Sequence, residues 1–299
     1  MIVLAAAAFM ISFSPSYAMF TLMEDVKLLK DMGLATMLVA GLLQSVFSAV
    51  RVVSNEIENK TIFTVLTKPV SKTHIVLGKF LGIALACALS MYLLAIFLVM
   101  ALRVGVPEAA YSPINRPLIY GQLGALAVAL GMAAFSNYFN DRPFGASLFR
   151  FSFITFTAVF AVLGFFDMDM SLQAFLADVD LQVLKAGYLV LAAVFVTSAI
   201  AVALAVRFGA VFTIGFSVSV FIIGLISDHI FGRFAGENIF AGAAYAVFPN
   251  MQVFWVADAV TEGVRVPFDY LMNATIYGIL FSAAAVVLGI FMFEQKEST

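Results

Sequence analysis

Residues 54–79 read SNEIENKTIFTVLTKPVSKTHIVLGK, a polar interruption between two long apolar runs. The stretch holds two glutamates and four lysines in a 299-residue chain that is only 11% charged. The flanking runs are long and continuous rather than alternating, which is the pattern of helices and not of half-buried strands. A membrane protein that gathers so much scarce charge in one loop is expected to dock something there.

Working outward, the chain is 63% hydrophobic with a mean hydropathy of +1.06. No soluble domain of this length hides that much apolar surface, so the solvent is lipid. Crossing a bilayer core takes about 20 mostly apolar helical residues. Only helices and closed barrels satisfy their backbones there. The expected fold is all-α: a polytopic helical membrane protein forming a single transmembrane domain over 1–299. The expected spans are eight, at 1–23, 33–53, 75–102, 118–137, 148–166, 186–206, 209–227 and 271–293. Ser16-Tyr17-Ala18 has the small-residue look of a signal cleavage site. No basic segment precedes Lys27, so a first membrane helix is the preferred reading, kinked or ended near Pro15.

Charge sets the expected orientation. With 54–74 placed in the cytoplasm and the spans alternating, nine of the 16 basic and five of the 18 acidic residues fall inside. Seven basic and thirteen acidic residues then fall outside. The bias in Lys and Arg is modest but of the right sign, and it puts both termini in the cytoplasm. Arg51, Lys79, Arg103, Arg150 and Arg207 fall near span ends, where snorkelling suffices.

Two connections are long. In the 54–74 loop, Asn55 followed by Glu58 fits an N-terminal capping box, with Glu56 and Glu58 in a first turn that favours anions. Ile62, Val65 and Leu66 give a partial apolar stripe, and Pro69 stops the helix near Lys68. A short helix over 56–67 is therefore expected. Without further information it reads equally as an interfacial helix whose lysines touch anionic headgroups. The 228–270 segment is expected to form an outer re-entrant or lid element, with Pro249-Asn250 starting a helix that runs through Trp255 to Val260. Phe248, Phe254 and Trp255 read there as an aromatic belt or as an outer gate.

Several chemistries lack their residues. There is no G-x-x-x-x-G-K-[ST], so no P-loop, and no H-E-x-x-H or G-x-S-x-G. The two histidines, His74 and His229, fall on opposite sides of the expected topology. Cys87 is the only cysteine, which removes cysteine metal sites and internal disulfides. The span cores carry almost no charge, whereas an ion-coupled secondary transporter needs a buried carboxylate or histidine relay. That alternative, and a non-transporting membrane scaffold or assembly factor, remain beside the reading that follows.

The string EIENKTIFTVLTKPVSKTHIVLGK resembles the signature of type-2 ABC-transporter permeases, the membrane subunits of ATP-driven exporters. The matching residues are Glu56, Glu58, Thr61-Ile62, Leu66, Pro69-Val70-Ser71-Lys72, Ile75-Val76 and Gly78-Lys79. A weaker resemblance covers FPNMQVF (248–254), Tyr277 and the closing FMFEQKE (291–297). It points to the multi-subunit branch whose members serve copper-site maturation. The resemblance implies a coupling helix resting in a groove of a separate ABC ATPase subunit. ATP and Mg would sit on that partner, and this chain would be neither an enzyme nor bound to a cofactor or metal. The implied partners are the ATPase, a second permease copy or sister permease, and membrane lipid, with no nucleic acid. The implied place is the plasma (inner) membrane of a prokaryote. The family commonly has six spans, so 118–166 looks like an extra hairpin. The family also usually opens with a cytoplasmic amphipathic segment, and this chain opens inside an apolar run.

Overall fold

The computed structural model describes residues 1–18, 25–58, 71–104, 114–236 and 238–296. Among them the regular structure is helical, apart from a single bridge between Phe166 and Leu172. The protein is an all-α, multi-pass membrane protein, as its apolar runs require.

The helices are α1 (Ile2–Ala18), α2 (Asp25–Ala49), α3 (Lys72–Val104), α4 (Arg116–Asn140) and α5 (Phe144–Leu163). Then follow α6 (Gln182–Arg207), α7 (Ala210–Ile230), α8 (Ile239–Val247), α9 (Ala257–Thr261) and α10 (Phe268–Lys296). Among the described residues seven helices are long and apolar enough to cross a membrane: α2 with its extension, α3, α4, α5, α6, α7 and α10. They correspond to the last seven expected spans. The first differs: α1 is 17 residues long rather than the expected 23 and is a shorter apolar helix.

Pro15 does not end α1, which continues to Ala18. A proline lacks the N–H that would bond the carbonyl four residues back, here that of Ile11. Ser14 supplies the missing donor: its buried hydroxyl donates to Ile11 O at 2.6 Å. In lipid an unpaired carbonyl is expensive, so this bond is what lets the helix pass its proline. The second span also starts earlier than residue 33. The charged turn of Lys27 and Lys30 hides the start of α2 from any hydropathy reading, but both lysines find carboxylates: Lys27 meets Glu262 at 3.1 Å and Lys30 meets Asp180 at 2.8 Å.

The chain divides into two compact units. The first comprises Met1–Met37, Ser90–Leu184 and Val260–Val264; the second comprises Leu38–Leu89, Lys185–Ala259 and Arg265–Thr299. In the first, α4 and α5 form a hairpin. Buried Ala125, Ala129 and Ala133 line α4 at four-residue spacing, the small-residue stripe that lets helices approach in lipid. Phe156 of α5 is buried against Phe97 of α3, ring centroids 4.6 Å apart. Only 22% of α4 and 11% of α5 are buried over their most apolar stretch, so the rest of this chain leaves most of the hairpin's apolar surface uncovered.

In the second unit, α6 is the central helix, with 72% of its most apolar stretch buried. Leu189, Ala193 and Val196 pack against Phe221, Met251, Phe254 and Ala274. Thr197 and Ser198, buried in its middle, donate to their own i−4 carbonyls at 2.9 and 2.7 Å, so neither hydroxyl is orphaned. Gly289 brings α10 onto α6: a Cβ there would lie 3.0 Å from the Ala203 Cα.

Between α7 and α10 the chain forms a bent pair. Ile239–Val247 and Met251–Thr261 meet at 43°. The helix expected from Asn250 through Val260 is broken: Asn250 caps a 3-10 turn, Met251–Phe254, and α9 follows only after Trp255 and Val256. Gly224, near the end of α7, lies so close that a Cβ would come within 2.5 Å of Pro249 O. Tyr270 and Tyr277, in the first third of α10, bond Val253 O and the Asn250 N–H at 2.8 and 2.7 Å. The segment thus leaves the end of α7 and returns to the start of α10 as a bent pair, the form of a broken span or of a re-entrant loop.

Candidate functional site

The site is the root of the 54–79 stretch. Residues 59–70 lie outside the described residues, and with them Thr61, Leu66 and Pro69. What is described is how the chain leaves the membrane and how it returns.

It leaves without a break. Past Ala49, α2 widens into a π-helical turn, Val50–Ser54, and continues as one more α-turn, Asn55–Glu58. Asn55 sits in the right-handed helical region, φ −64° and ψ −36°, and donates its N–H to Val50 O. The expected capping box is therefore overturned. Asn55 is inside a helix, not at its start, and Glu56 and Glu58 extend α2 instead of opening a separate helix. The physical reason is continuity: an N-cap needs a non-helical residue with an orphan N–H behind it, and here the preceding turn already supplies the acceptor. A π-turn inserts one extra residue per ring and so rotates everything beyond it; such turns recur at functional sites.

The chain returns at Ser71. Its hydroxyl accepts the His74 N–H at 3.4 Å and also contacts the imidazole Nδ1, closing the first turn of α3. α3 thus begins at Lys72, within the loop that sequence reading kept as 54–74. Two turns on, the Lys79 ammonium reaches back to α2. It donates to Glu56 Oε2 at 2.5 Å and to Val52 O at 2.6 Å. Lys79 does not snorkel to water, as its place near a span end implied; its side chain is only 16% exposed, and that of Glu56 is 41% exposed. The stem of Lys79 lies beside Val53, Ile75, Val76, Val202, Val206 and Phe293. An ammonium on such an apolar bed needs a fixed counter-charge, and Glu56 provides it.

A second tie joins the same root to α6 and α7. The buried Ser54 hydroxyl lies 3.3 Å from Ala205 O, 3.3 Å from Phe208 O and 3.5 Å from the Thr213 hydroxyl. Thr213 in turn donates to Phe208 O at 3.3 Å. The π-turn is what carries Ser54 onto this face. The exit of the polar segment, its return, and the link between α6 and α7 therefore form one hydrogen-bonded assembly. Sequence reading named Glu56 and Lys79 separately but missed their pairing, and missed Ser54 altogether. An acid and a base 23 residues apart carry no local signal of contact.

Charge is also paired in the first unit. Arg103, expected to snorkel, is buried at 4% exposure. Its guanidinium donates to Asp178 Oδ2 at 2.8 Å, Leu163 O at 3.0 Å and Phe166 O at 2.7 Å. It thereby fastens the 164–181 connection, where Met170 and Leu176 both take positive φ of 56°. Asp180 feels opposing effects. Burial alone would raise its carboxyl; the hydrogen bonds from Lys30 and the Gln182 N–H, with the charge of Lys30, outweigh it and hold the carboxyl below its ordinary value.

Of the expected outer aromatics, Phe254 is fully buried and packs on Tyr277, ring centroids 5.9 Å apart. Phe248 and Trp255 are half-buried, Phe248 stacking on Phe231 at 5.8 Å. Among the described residues no three His, Cys, Asp or Glu side chains come together. Comparison of the chain with protein-family models, with curated proteins and with solved structures returns no match.

Proposed function

We propose that this chain is the membrane permease subunit of an ATP-driven exporter of the type-2 ABC class. In this reading residues 54–74 dock a separate ATPase subunit on the cytoplasmic side of a prokaryotic inner membrane, with both termini on that side. The observation that carries it is the rigid root of the docking segment. Glu56 and Lys79 tie its two ends together, and Ser54 ties them to α6 and α7. A loop that merely floated on headgroups would need no such anchorage, whereas a loop that transmits force does.

The mechanical sequence follows from those contacts. Closure of two ATPases around ATP displaces the docked segment. Because α2 runs without interruption through the π-turn to Glu58, the displacement enters α2 directly. Lys79 passes it to α3 and Ser54 passes it to α6 and α7. The cargo path between paired permeases then opens or closes. The α4–α5 hairpin, mostly uncovered by the rest of the chain, lies outside that path in this reading.

The test is affinity purification of the tagged chain from its own membranes. The proposal expects a stoichiometric P-loop ATPase that hydrolyses ATP in the complex. Recovery of the intact chain with no such subunit, across mild detergents that preserve its fold, would contradict it.

A further inference from the structure

An open apolar groove of about 640 Å³ runs along the second unit. Leu204 of α6, Val220 of α7, Phe248 and Pro249 at the bend that follows α8, and Tyr277 and Met292 of α10 mark its extent. Tyr277 and Met292 are 15 residues apart, about 22 Å of helix, which is most of the roughly 30 Å hydrocarbon core. At that depth only lipid tails or protein can fill such a groove. Its upper end distinguishes between them.

There a polar string runs from the exposed end of α7 into the groove wall. The exposed carboxylate of Asp228, in the last turn of α7, accepts the Tyr245 hydroxyl at 3.1 Å. Tyr245 accepts the Asn250 side-chain amide at 3.2 Å. The Asn250 N–H donates to the Tyr277 hydroxyl at 2.7 Å, and Tyr277 lines the groove. A surface packed by another helix has no use for an exposed carboxylate wired to its end. An amphiphile does: one end of the site is long and apolar, the other polar and anionic.

We infer that this groove is a phospholipid site, holding one acyl chain between α6, α7 and α10 and an ethanolamine headgroup at its mouth. The headgroup ammonium pairs with Asp228. A glycerol headgroup offers Asp228 no cation, and a choline offers it no N–H donor. The site stands on its own residues and holds whether or not the chain couples to an ATPase.

The experiment is native mass spectrometry of the delipidated full-length protein with equal amounts of phosphatidylethanolamine, phosphatidylglycerol and phosphatidylcholine. The wild type should retain one phosphatidylethanolamine about tenfold better than either competitor, the worth of one charge-assisted hydrogen bond. Asp228→Asn, a change at an exposed side chain, should bring the three lipids close to parity. Ala284→Trp, which fills the groove from an exposed position, should abolish tight retention of all three. Equal retention of the three lipids by the wild type would overturn the inference, as would unchanged selectivity in Asp228→Asn. If Ala284→Trp instead converted a dimer to monomers with lipid retention intact, the groove would belong to a second copy and the inference would fail.

Discussion

The Lys79 ammonium on α3 binds the Glu56 carboxylate on the extension of α2 at 2.5 Å, joining the two ends of the polar segment between them. The pair is neither fully buried nor fully exposed. Its coupling energy in a double-mutant cycle should therefore exceed the ~1 kcal/mol of a surface pair and fall short of the ~3–5 kcal/mol of a broken buried one. Lys79→Ala should be worse than Glu56→Gln, because it also strips the donor from Val52 O. The exchanged pair, Glu56→Lys with Lys79→Glu, should recover part of the loss. Additive effects in the cycle, read from thermal unfolding in detergent, would show that the two do not act together.

Arg103 should be the costliest single charge to remove in the first unit. Arg103→Leu leaves Asp178 without its cation and takes one donor each from Leu163 O and Phe166 O, which keep only the Phe166 N–H and the Gln173 side-chain amide, a loss of about 3–5 kcal/mol. Hydrogen exchange should speed up across 164–181 before it changes in α3 itself. Uniform loss of protection in both would mean that the arginine supports the whole helix and not the connection.

Ser14 and Pro15 should be coupled in α1. Ser14→Ala should cost about 1 kcal/mol, since Ile11 O then has no donor. In a Pro15→Ala background the restored N–H bonds Ile11 O, and Ser14→Ala should then be nearly silent. An equal cost of Ser14→Ala in both backgrounds would contradict the assigned role of its hydroxyl.

Acid should weaken the Lys30–Asp180 tie in a defined direction. The folded-state carboxyl of Asp180 titrates below its unfolded value of about 3.9. Its stabilising contribution is thus complete above that value and is lost as pH falls through the folded-state value. Melting temperature measured from pH 6 down to pH 3 should fall less steeply at its acid end in Asp180→Asn than in the wild type. Lys30→Gln removes the charge and hydrogen bond that hold the Asp180 carboxyl down, so its acid loss should shrink toward that of Asp180→Asn. Identical acid profiles for all three proteins would remove the pair from the account.

The spans were legible because hydrophobic run length alone decides them in lipid, and the seven long helices fall where the runs do. What failed to read was everything set by partners distant in sequence. The start of α2 was concealed by Lys27 and Lys30, whose carboxylates lie 150 residues away or more. Pro15 reads as a stop unless Ser14 is known to serve Ile11 O. Asn55 and Glu58 match a capping box by letter, yet the π-turn behind them keeps α2 running. The root of the candidate site was half legible: Glu56 and Lys79 stood out as charges in an apolar chain, while Ser54 carried no signal at all. The resemblance to type-2 ABC permeases rests on the 56–79 string, and its central residues lie beyond those described.

The most direct test therefore falls on one of those central residues. Leu66→Asp puts an unpaired charge where the proposal seats an apolar side chain in an ATPase groove. Membrane insertion should be unaffected, because residue 66 lies outside the expected spans. Co-purification of the ATPase should drop about tenfold or more, and ATP turnover in any remaining complex should lose its dependence on the permease. Full ATPase retention with normal turnover in Leu66→Asp would mean that the 54–74 segment only lies on the membrane, and the exporter reading would lose its foundation.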